Sequence, residues 1–327
     1  NVLHWHIVDS QSFPLESTTF PLLSEKGAYF YTAVYSHDQI SQVLDYAWQR
    51  GIRVIPEFDM PGHSQSWGKG YPDIMTKCQI SSPLSDVMNP IRETTYAFLT
   101  AFLKEMAGLF DEPFVHLGGD EVDPSCWENN TEIVNWMKQQ GMTEPIELQG
   151  YFEEKIEVIA AGIGKTTILW EECFDYGFDL NDDTIINVWM NPQELINVIK
   201  AGRRAIQSGG YYLDRQVPTG EIHYFWMDTW QDFYNSDPLG DFYNLTDAEV
   251  SLVLGGEASM WGEQVDGDSI DIRVWPRASA TAERLWSPRE VNSTQEAQPR
   301  LVNFRCDLTR RGIKASPIAS DFCYRGF

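Results

Sequence analysis

Seven short apolar runs recur along the chain, and this recurrence constrains the fold more than any other feature of the sequence. Most of the runs are continuously hydrophobic instead of alternating, as is typical of strands buried on both faces of a parallel sheet. A helical stripe of Ile40, Val43, Leu44 and Ala47 separates the first two runs and ends before Gly51, a candidate C-cap. The predicted strands are residues 2–8, 52–58, 113–117, 167–170, 184–189, 204–207 and 251–254.

Strands that alternate with helices in this way build a parallel sheet covered by helices. Seven strands, the first of them beginning at the first residue, predict an α/β fold of the (β/α)8-barrel type (a TIM barrel) whose first strand and upstream domain are missing from this chain. Residues 1–327 are expected to form one barrel domain. A doubly wound open sheet would also accept seven strands, but no glycine-rich phosphate loop opens any of the helices. Two closing helices are expected at residues 278–285 and 301–311.

The charge balance restricts the partners of this chain. It has 24 basic and 48 acidic residues, a formal net charge of −24. Such a charge disfavours nucleic acid and anionic membrane surfaces as partners. No apolar run reaches the roughly 20 residues that cross a bilayer, so no membrane span is expected.

The cysteines and sequons indicate an oxidising compartment. None of the five cysteines lies in a CxxC pair, so no structural zinc site is expected. Cys306 and Cys323 bracket a short loop, which favours a disulfide under oxidising conditions. Glycosylation sequons at Asn129, Asn244 and Asn292 point the same way. We therefore expect a lysosomal or secreted protein.

Acidic residues and tryptophans dominate the carboxyl ends of the predicted strands, where barrel enzymes build their active sites. Aromatic faces stack on the apolar C–H faces of sugars, and carboxylates accept hydrogen bonds from sugar hydroxyls. Trp170, Trp189 and Trp261 follow three different strands, although barrel interiors favour branched aliphatic residues. These ends predict a carbohydrate site; their sequences are HWHIVDSQSF, EFDMPGHSQSW, HLGGDEV, LWEECFD, NVWM, SGGYYLD and GGEASMWGE.

A rival interpretation uses the histidines as metal ligands. His4 and His6 share one strand face, and with His63 and His116 they could serve a metal-dependent amidohydrolase. No lysine at a strand end is available to bridge two metals, so this interpretation is disfavoured. We expect no metal and no cofactor.

Five segments together resemble the family-20 β-N-acetylhexosaminidases, in particular the eukaryotic lysosomal subunits: NVLHWHIVD, IRVIPEFDMPGH, HLGGDEV, GGEASMWGE and WPRASATAERLWS. The resemblance covers nearly the whole chain. It implies a retaining exo-β-N-acetylhexosaminidase that removes terminal N-acetylglucosamine or N-acetylgalactosamine from glycans or glycoconjugates, in a homo- or heterodimer. The nucleophile would be the 2-acetamido carbonyl of the substrate, which forms an oxazolinium intermediate. A catalytically impaired carbohydrate-binding relic of the same barrel is the alternative.

The resemblance also gives a role to the adjacent acids of HLGGDEV, which would otherwise be solvated turn residues. Glu121 would protonate the leaving oxygen and then activate water, while Asp120 would orient the acetamido group and stabilise the oxazolinium. His63 would support Glu121, and Asp9 would orient His63. With Asp120 ionised, loss of the proton from Glu121 is expected to be disfavoured.

The remaining binding residues are also implied by the resemblance. The three tryptophans would wall the pocket, Tyr212 would bind the acetamido oxygen, and Asp214 and Glu263 would bind sugar hydroxyls. In the lysosomal subunits, the pair after YL is Asn-Arg where anionic sugars are accepted and Asp-Leu where neutral sugars are preferred. This chain has Asp214 followed by Arg215, a mixture of the two.

The family pattern further implies two disulfides, Cys78–Cys126 and Cys306–Cys323, and leaves Cys173 free. One departure concerns the family's substrate-binding arginine, which lies at the end of the first barrel strand. That strand is absent from this chain, and no other residue obviously replaces the arginine.

Overall fold

A computed structural model describes residues 1–78, 87–214, 228–240, 245–320 and 322–323. The chain divides into two compact units, Asn1–Ile186 and Asn187–Phe327. Among the described residues, no helix is both long enough and apolar enough to cross a membrane.

The strands in chain order are β1 (Val2–Val8), β2 (Arg53–Met60), β3 (Phe114–Gly118), β4 (Thr166–Trp170), β5 (Ile185–Val188), β6 (Arg204–Gln207) and β7 (Val253–Gly256). All seven coincide with predicted apolar runs. The bounds of β1 and β6 and the end of β4 at Trp170 are those predicted, and the remaining ends differ by one or two residues. The continuous apolar pattern therefore located every strand in the described part of the chain.

The helices are α1 (Leu22–Gly27), α2 (His37–Trp48), α3 (Gln65–Gly70), α4 (Glu93–Leu109), α5 (Ser125–Glu128), α6 (Thr131–Gln140), α7 (Pro145–Gly162), α8 (Glu172–Asp175), α9 (Pro192–Lys200), α10 (Trp230–Asn235), α11 (Asp247–Val250), α12 (Ile270–Val274), α13 (Arg277–Trp286) and α14 (Thr294–Arg310), with a short 3-10 turn at Pro72–Ile74.

The two closing helices are present, but one begins earlier than expected. The predicted helix at 278–285 lies inside α13. The start predicted at residue 301 was wrong, because α14 begins at Thr294 and continues through Pro299. Its true start is set by Ser293, whose side chain accepts a hydrogen bond from the backbone N–H of Glu296, an N-cap that the apolar stripe does not reveal.

In the first unit, β1, β2, β3 and β4 pair in parallel and in chain order. The register is the feature that positions the site, because it sets His6 beside Glu57 and Glu57 beside His116. Since laterally paired residues of neighbouring strands point to the same face, three polar side chains converge inside this unit. Helix α4 buries Leu99 and Phe102 completely, and the Phe102 ring packs against Phe58 of β2, with ring centroids 5.1 Å apart.

In the second unit, β6 pairs in parallel with β7. An isolated bridge joins Tyr212 to Ser259 just beyond these strands. A core of buried aromatic residues lies beside them, including Tyr211, Phe233 and Tyr234, against which α13 and α14 pack Ala280 and Leu301. This core fixes the backbone that follows β6.

Two disulfides cross-link loops of the chain. Cys78 is bonded to Cys126 and Cys306 to Cys323, with Cα–Cα distances of 5.1 and 5.2 Å. These are the pairs that the resemblance implied, and Cys173 is free and buried. The first disulfide ties the segment after the 3-10 turn to α5, which follows the HLGGDEV loop.

Gly118 ends β3 at a point where no side chain fits. Its φ is +77°, and a Cβ there would lie 1.7 Å from Oδ1 of Asp59. Gly141 has a similar φ of +79°, but a Cβ there would meet nothing within 4 Å. A side chain at Gly141 would therefore meet backbone strain alone, whereas a side chain at Gly118 would meet both backbone strain and steric overlap.

We expect Gly118→Ala to destabilise the protein far more than Gly141→Ala. The control should lose about 1–2 kcal/mol from the left-handed backbone alone. The overlap with Asp59 should add roughly 1–3 kcal/mol at Gly118. Urea unfolding of both variants measures the difference, and equal losses would show that Asp59 yields without cost.

Candidate active site

Four predicted site residues meet at the carboxyl ends of three neighbouring strands of the first unit. Asp9 follows β1, His63 follows β2, and Asp120 and Glu121 follow β3. His63 Nδ1 lies 3.3 Å from Asp9 Oδ1, and His63 Nε2 lies 3.5 Å from Glu121 Oε2 and 3.7 Å from Asp120 Oδ2. The imidazole thus stands between carboxylates on both sides, in the order Asp9, His63, Glu121.

The backbone at two of these residues is strained. Among the described residues other than glycine, His63 and Glu121 are those with positive φ, 46° and 50°. Such conformations cost about 1–3 kcal/mol each and persist where the surrounding structure over-determines them. Gly118 and Gly119 precede the acid pair with φ of +77° and +93°, and they let the chain turn so that Asp120 points inward and Glu121 outward.

Burial separates the two adjacent acids. Burial raises the pKa of Asp120 to about 7; the charge of His63 opposes this rise, and Glu57 and Glu172 add to it. The hydrogen bond from His63 lowers the pKa of Glu121, whose side chain is 55% exposed. The expected order, an ionised Asp120 that keeps the proton on Glu121, is therefore reversed in this structure. The physical reason is that Asp120 is buried among other carboxylates, while Glu121 faces solvent and a histidine.

Asp9 and His63 form an ion pair. Burial alone would raise the pKa of Asp9, but hydrogen bonds from His6 and His63 hold it well below its usual range. Burial alone would lower the pKa of His63, but the charge of Asp59 and the hydrogen bond to Asp9 raise it well above its usual value. His63 therefore carries a proton at neutral pH, next to an ionised Glu121.

Trp170, one of the tryptophans predicted to wall the sugar pocket, is buried in the first unit. Its side chain is 1% exposed, and its indole N–H donates to Glu57 Oε1 at 2.9 Å. The ring also packs against His116, with a centroid distance of 4.7 Å. Glu57 and His116 therefore fix the position of this indole within the first unit.

Sequence reasoning assigned no role to the polar residues behind the acids. Glu57 and Asp59 are buried on β2, at 0% and 1% exposure. His6 had been weighed as a metal ligand, yet its two ring nitrogens each lie 2.7 Å from a carboxylate, of Glu57 and of Asp9. The available signal was two acids inside an otherwise apolar strand, PEFD, a pattern that burial makes costly unless the acids are paired.

Among the described residues, three clusters of acids and histidines have the composition of metal sites, and one of them is Asp59, His63 and Asp120. His4, Glu57 and His116, and likewise His6, Glu57 and Asp59, offer ligand atoms within 4.8 Å of one another. The separations, 2.9 Å from His4 Nε2 to Glu57 Oε2 among them, are those of ion pairs in direct contact. A metal would have to displace these contacts.

In the second unit, Trp189 and Tyr212 lie close together, with ring centroids 6.3 Å apart. Tyr212 and Asp214 are both buried at 7% exposure. Trp261 is half-buried and Glu263 is exposed, both beyond β7. The structure therefore brings Trp189 and Tyr212 into contact and leaves Glu263 in solvent.

Asp214 is held next to a buried cation. The Arg277 guanidinium donates to the backbone carbonyl of Leu213, the residue before Asp214. Burial lowers the pKa of Arg277 to about 10, while the charges of Asp228 and Asp214 act in the opposite direction. Arg277 thus both anchors the backbone and partly balances the charge of Asp214.

Some predicted positions concern modification or lie outside the described residues. Asn129 and Asn292 are exposed, as a glycosylated asparagine must be. Asn244 and Arg215 lie outside the described residues.

A protonated histidine between carboxylates at the ends of neighbouring parallel strands is an arrangement suited to proton transfer. Residues 1–289 match the model of glycosyl hydrolase family 20, catalytic domain. The chain belongs to this family, and its fold class is the family's (β/α)8 barrel, of which the described residues provide seven strands.

The relatives are longer than this chain. It is 44% identical to β-hexosaminidase subunit A1 of Dictyostelium discoideum over 99% of the chain and 60% of the relative. It is also 44% identical to human β-hexosaminidase subunit β, over 99% of the chain and 58% of the relative. Among solved structures, an exo-β-N-acetylglucosaminidase from Vibrio harveyi superposes with a TM-score of 0.88 at 27% identity, over 97% of this chain and 54% of that one. The chain thus spans about 60% of the length of the curated relatives it matches.

We expect Asp120→Asn to stabilise the protein more at neutral than at acidic pH. An unfolded aspartate ionises near pH 3.9, but folded Asp120 ionises near pH 7. The folded protein therefore binds an extra proton between these values, and its stability falls as the pH rises through this window. Asparagine does not titrate and escapes this cost.

The gain in unfolding free energy of Asp120→Asn over the unmodified protein should be roughly 1–4 kcal/mol larger at pH 7.5 than at pH 4. Urea unfolding at both pH values measures it. Asp111→Asn, at an exposed carboxyl group of the same unit, is the control and should change little at either pH. A gain for Asp120→Asn that is the same at both pH values would contradict the prediction.

Proposed function

We propose that the protein containing this chain is a retaining exo-β-N-acetylhexosaminidase, which removes terminal N-acetylglucosamine or N-acetylgalactosamine from glycans or glycoconjugates. The observation that carries the proposal is the Asp9–His63–Glu121 arrangement beside a buried Asp120. Family membership supports it, as do relatives named β-hexosaminidase. The structure of the Vibrio harveyi relative is described as a complex with N-acetylglucosamine, the sugar proposed here.

Catalysis is proposed to be assisted by the substrate. Asp120 would accept the acetamido N–H and direct the carbonyl oxygen at the anomeric carbon, which gives a cationic oxazolinium. A cation beside a buried carboxyl group favours its ionised form, so the intermediate would lower the pKa of Asp120 from its resting value of about 7. Asp120 would thereby stabilise the intermediate more than the bound substrate, as catalysis requires.

Glu121 is proposed as the general acid and then the general base. In the structure its pKa is lowered by His63, so the resting proton lies on the imidazole. A bound substrate would cover the exposed half of Glu121 and remove its hydration, which favours the protonated form. Asp9 would hold His63 in the orientation from which this proton can pass.

Other functional properties remain proposals. Residues 1–327 are proposed to form one catalytic barrel domain that needs no metal or cofactor. Trp170, Trp189, Trp261 and Tyr212 are proposed to contribute to the sugar site, together with hydroxyl-binding Asp214 and Glu263. A homo- or heterodimeric state, glycosylation and a lysosomal or secreted location are further proposals, for which the disulfides and exposed sequons provide support.

We expect Glu121→Gln in the full-length protein to lower turnover most for N-acetylglucosaminides with poor leaving groups, because only these depend strongly on protonation. The loss should be about 10²–10⁴-fold for a poor leaving group and much smaller for a nitrophenolate. Glu128→Gln, at an exposed acid of α5, is the control.

Equal losses of Glu121→Gln across leaving groups would contradict the acid assignment. Full-length protein that binds N-acetylglucosamine but hydrolyses no N-acetylhexosaminide would instead favour the carbohydrate-binding relic.

We expect the enzyme to prefer neutral over 6-sulfated terminal sugars. By its resemblance to the family, Asp214 would face the 6-position of the sugar, where a sulfate is a like charge. At about 4 Å and an effective dielectric constant near 20, this repulsion is roughly 4 kcal/mol, and Arg277 behind Asp214 offsets part of it.

Asp214→Asn should raise kcat/KM for the 6-sulfated substrate at least about tenfold relative to the neutral one. Asp268→Asn removes the same charge from an exposed position and should leave the ratio unchanged. If the unmodified enzyme already cleaves both substrates equally well, Asp214 does not face the 6-position.

A further inference from the structure

The buried carboxylate of Glu57 lies behind Asp9, His63 and Glu121, and the register of the strands sets its position. Glu57 is paired with His6 of β1 on one side and with His116 of β3 on the other. Its side chain is fully buried. We call the group of His4, His6, Glu57, His116 and Trp170 the Glu57 cluster.

One oxygen of Glu57 begins a continuous path to Glu121. Oε2 lies 2.7 Å from His6 Nδ1, and His6 Nε2 lies 2.7 Å from Asp9 Oδ2. The other oxygen of Asp9 faces His63 Nδ1 at 3.3 Å, and His63 Nε2 faces Glu121 at 3.5 Å. Carboxylates and imidazoles alternate along this path, so each group is held by opposite charges on both sides.

The other oxygen of Glu57 holds a different part of the first unit. Oε1 accepts the indole N–H of Trp170 at 2.9 Å and lies 3.3 Å from His116 Nδ1. The His116 ring is stacked on His4, with centroids 4.6 Å apart and an interplanar angle of 22°. Displacement of Glu57 would therefore release Trp170 and the acid path together.

The charge of Glu57 is needed, and not only its size. Both nitrogens of His6 lie 2.7 Å from a carboxylate oxygen, of Asp9 and of Glu57. Burial alone would lower the pKa of His6, but the charge of Glu57 and the hydrogen bond to Asp9 raise it well above its usual value, so His6 is a cation. Burial alone would raise the pKa of Glu57, but the charges of His116 and His6 lower it well below its usual range. The titratable groups that face this ion pair from the packed strands are His4, Asp9, Asp59, His63, His116 and Asp120.

We propose that Glu57 is a positioning residue of the acid: one buried anion that holds His6 charged, aligns Asp9 and His63 on Glu121, and fixes the indole of Trp170. The inference rests on the proposed hydrolase activity for its kinetic consequences. The charge of His6 and its dependence on Glu57 do not require that activity.

The kinetic experiment compares Glu57→Gln with Glu157→Gln in the full-length protein. Glutamine keeps the size of the side chain and an acceptor for Trp170 but removes the anion facing His6. Glu157 is an equally buried acid of the same unit that bonds Thr167 and Thr184, away from the path to Glu121. Each variant is assayed on two N-acetylglucosaminides, one with a good and one with a poor leaving group, across pH.

Glu57→Gln should lower kcat/KM about 10²-fold for the poor leaving group and less than tenfold for the good one, with a shifted pH profile. Glu157→Gln should lower stability and leave both the leaving-group ratio and the profile unchanged. Equal losses on the two substrates, or the same shift in both variants, would overturn the positioning role.

A second measurement does not need activity. In the unmodified full-length protein with ¹⁵N-labelled histidine, both ring nitrogens of His6 should be protonated at pH 7, with the signal assigned by its loss in His6→Gln. A neutral His6 with one protonated nitrogen would overturn the proposal even in an active enzyme. A doubly protonated His6 in a protein without hexosaminidase activity would instead support the charge arrangement and refute the proposed function.

Discussion

The desolvation of carboxylates governs the first unit. Glu57 and Asp59 are fully buried and Asp120 is nearly so. An ionised carboxylate loses several kcal/mol of hydration in such a place, and a partner of opposite charge must offset this loss. Such a group can be paired with a cation or can keep its proton, and the structure uses both solutions. Glu57, like the partly buried Asp9, is ionised against histidines, whereas burial raises the pKa values of Asp59 and Asp120. Each histidine between Glu57 and Glu121 therefore balances the charge of the acids beside it, and these acids keep it protonated.

This arrangement explains why the functional residues carry the strain of the chain. His63 and Glu121 have left-handed backbone conformations, and glycines at 118 and 119 turn the chain before the acid pair. Contacts on both sides of His63 hold these conformations in place. The stability expected from loss of Asp120 at neutral pH is the corresponding cost of burying this carboxyl group, for which a catalytic role is proposed. The proposed function and stability are thus opposed at the same few residues.

The second unit solves a similar problem with a cation. Asp214 is buried near Arg277, which is itself anchored by backbone carbonyls. Where the first unit has histidines, the second unit has aromatic side chains, and Trp189 lies beside Tyr212. The Arg277 guanidinium holds the backbone next to Asp214 and places a positive charge near its carboxyl group.

The sequence by itself determined the strands, the class of fold and the position of the acid pair after β3. Continuous apolar runs and the segment HLGGDEV are local signals that survive without knowledge of the neighbours. The resemblance added the disulfide pairs and the link from Asp9 through His63 to Glu121. The tertiary structure alone decided that Glu57 stands between two histidines, because lateral register depends on how whole strands align. It also decided the order of the pKa values of Asp120 and Glu121, since burial and nearby charge come from residues distant in the chain.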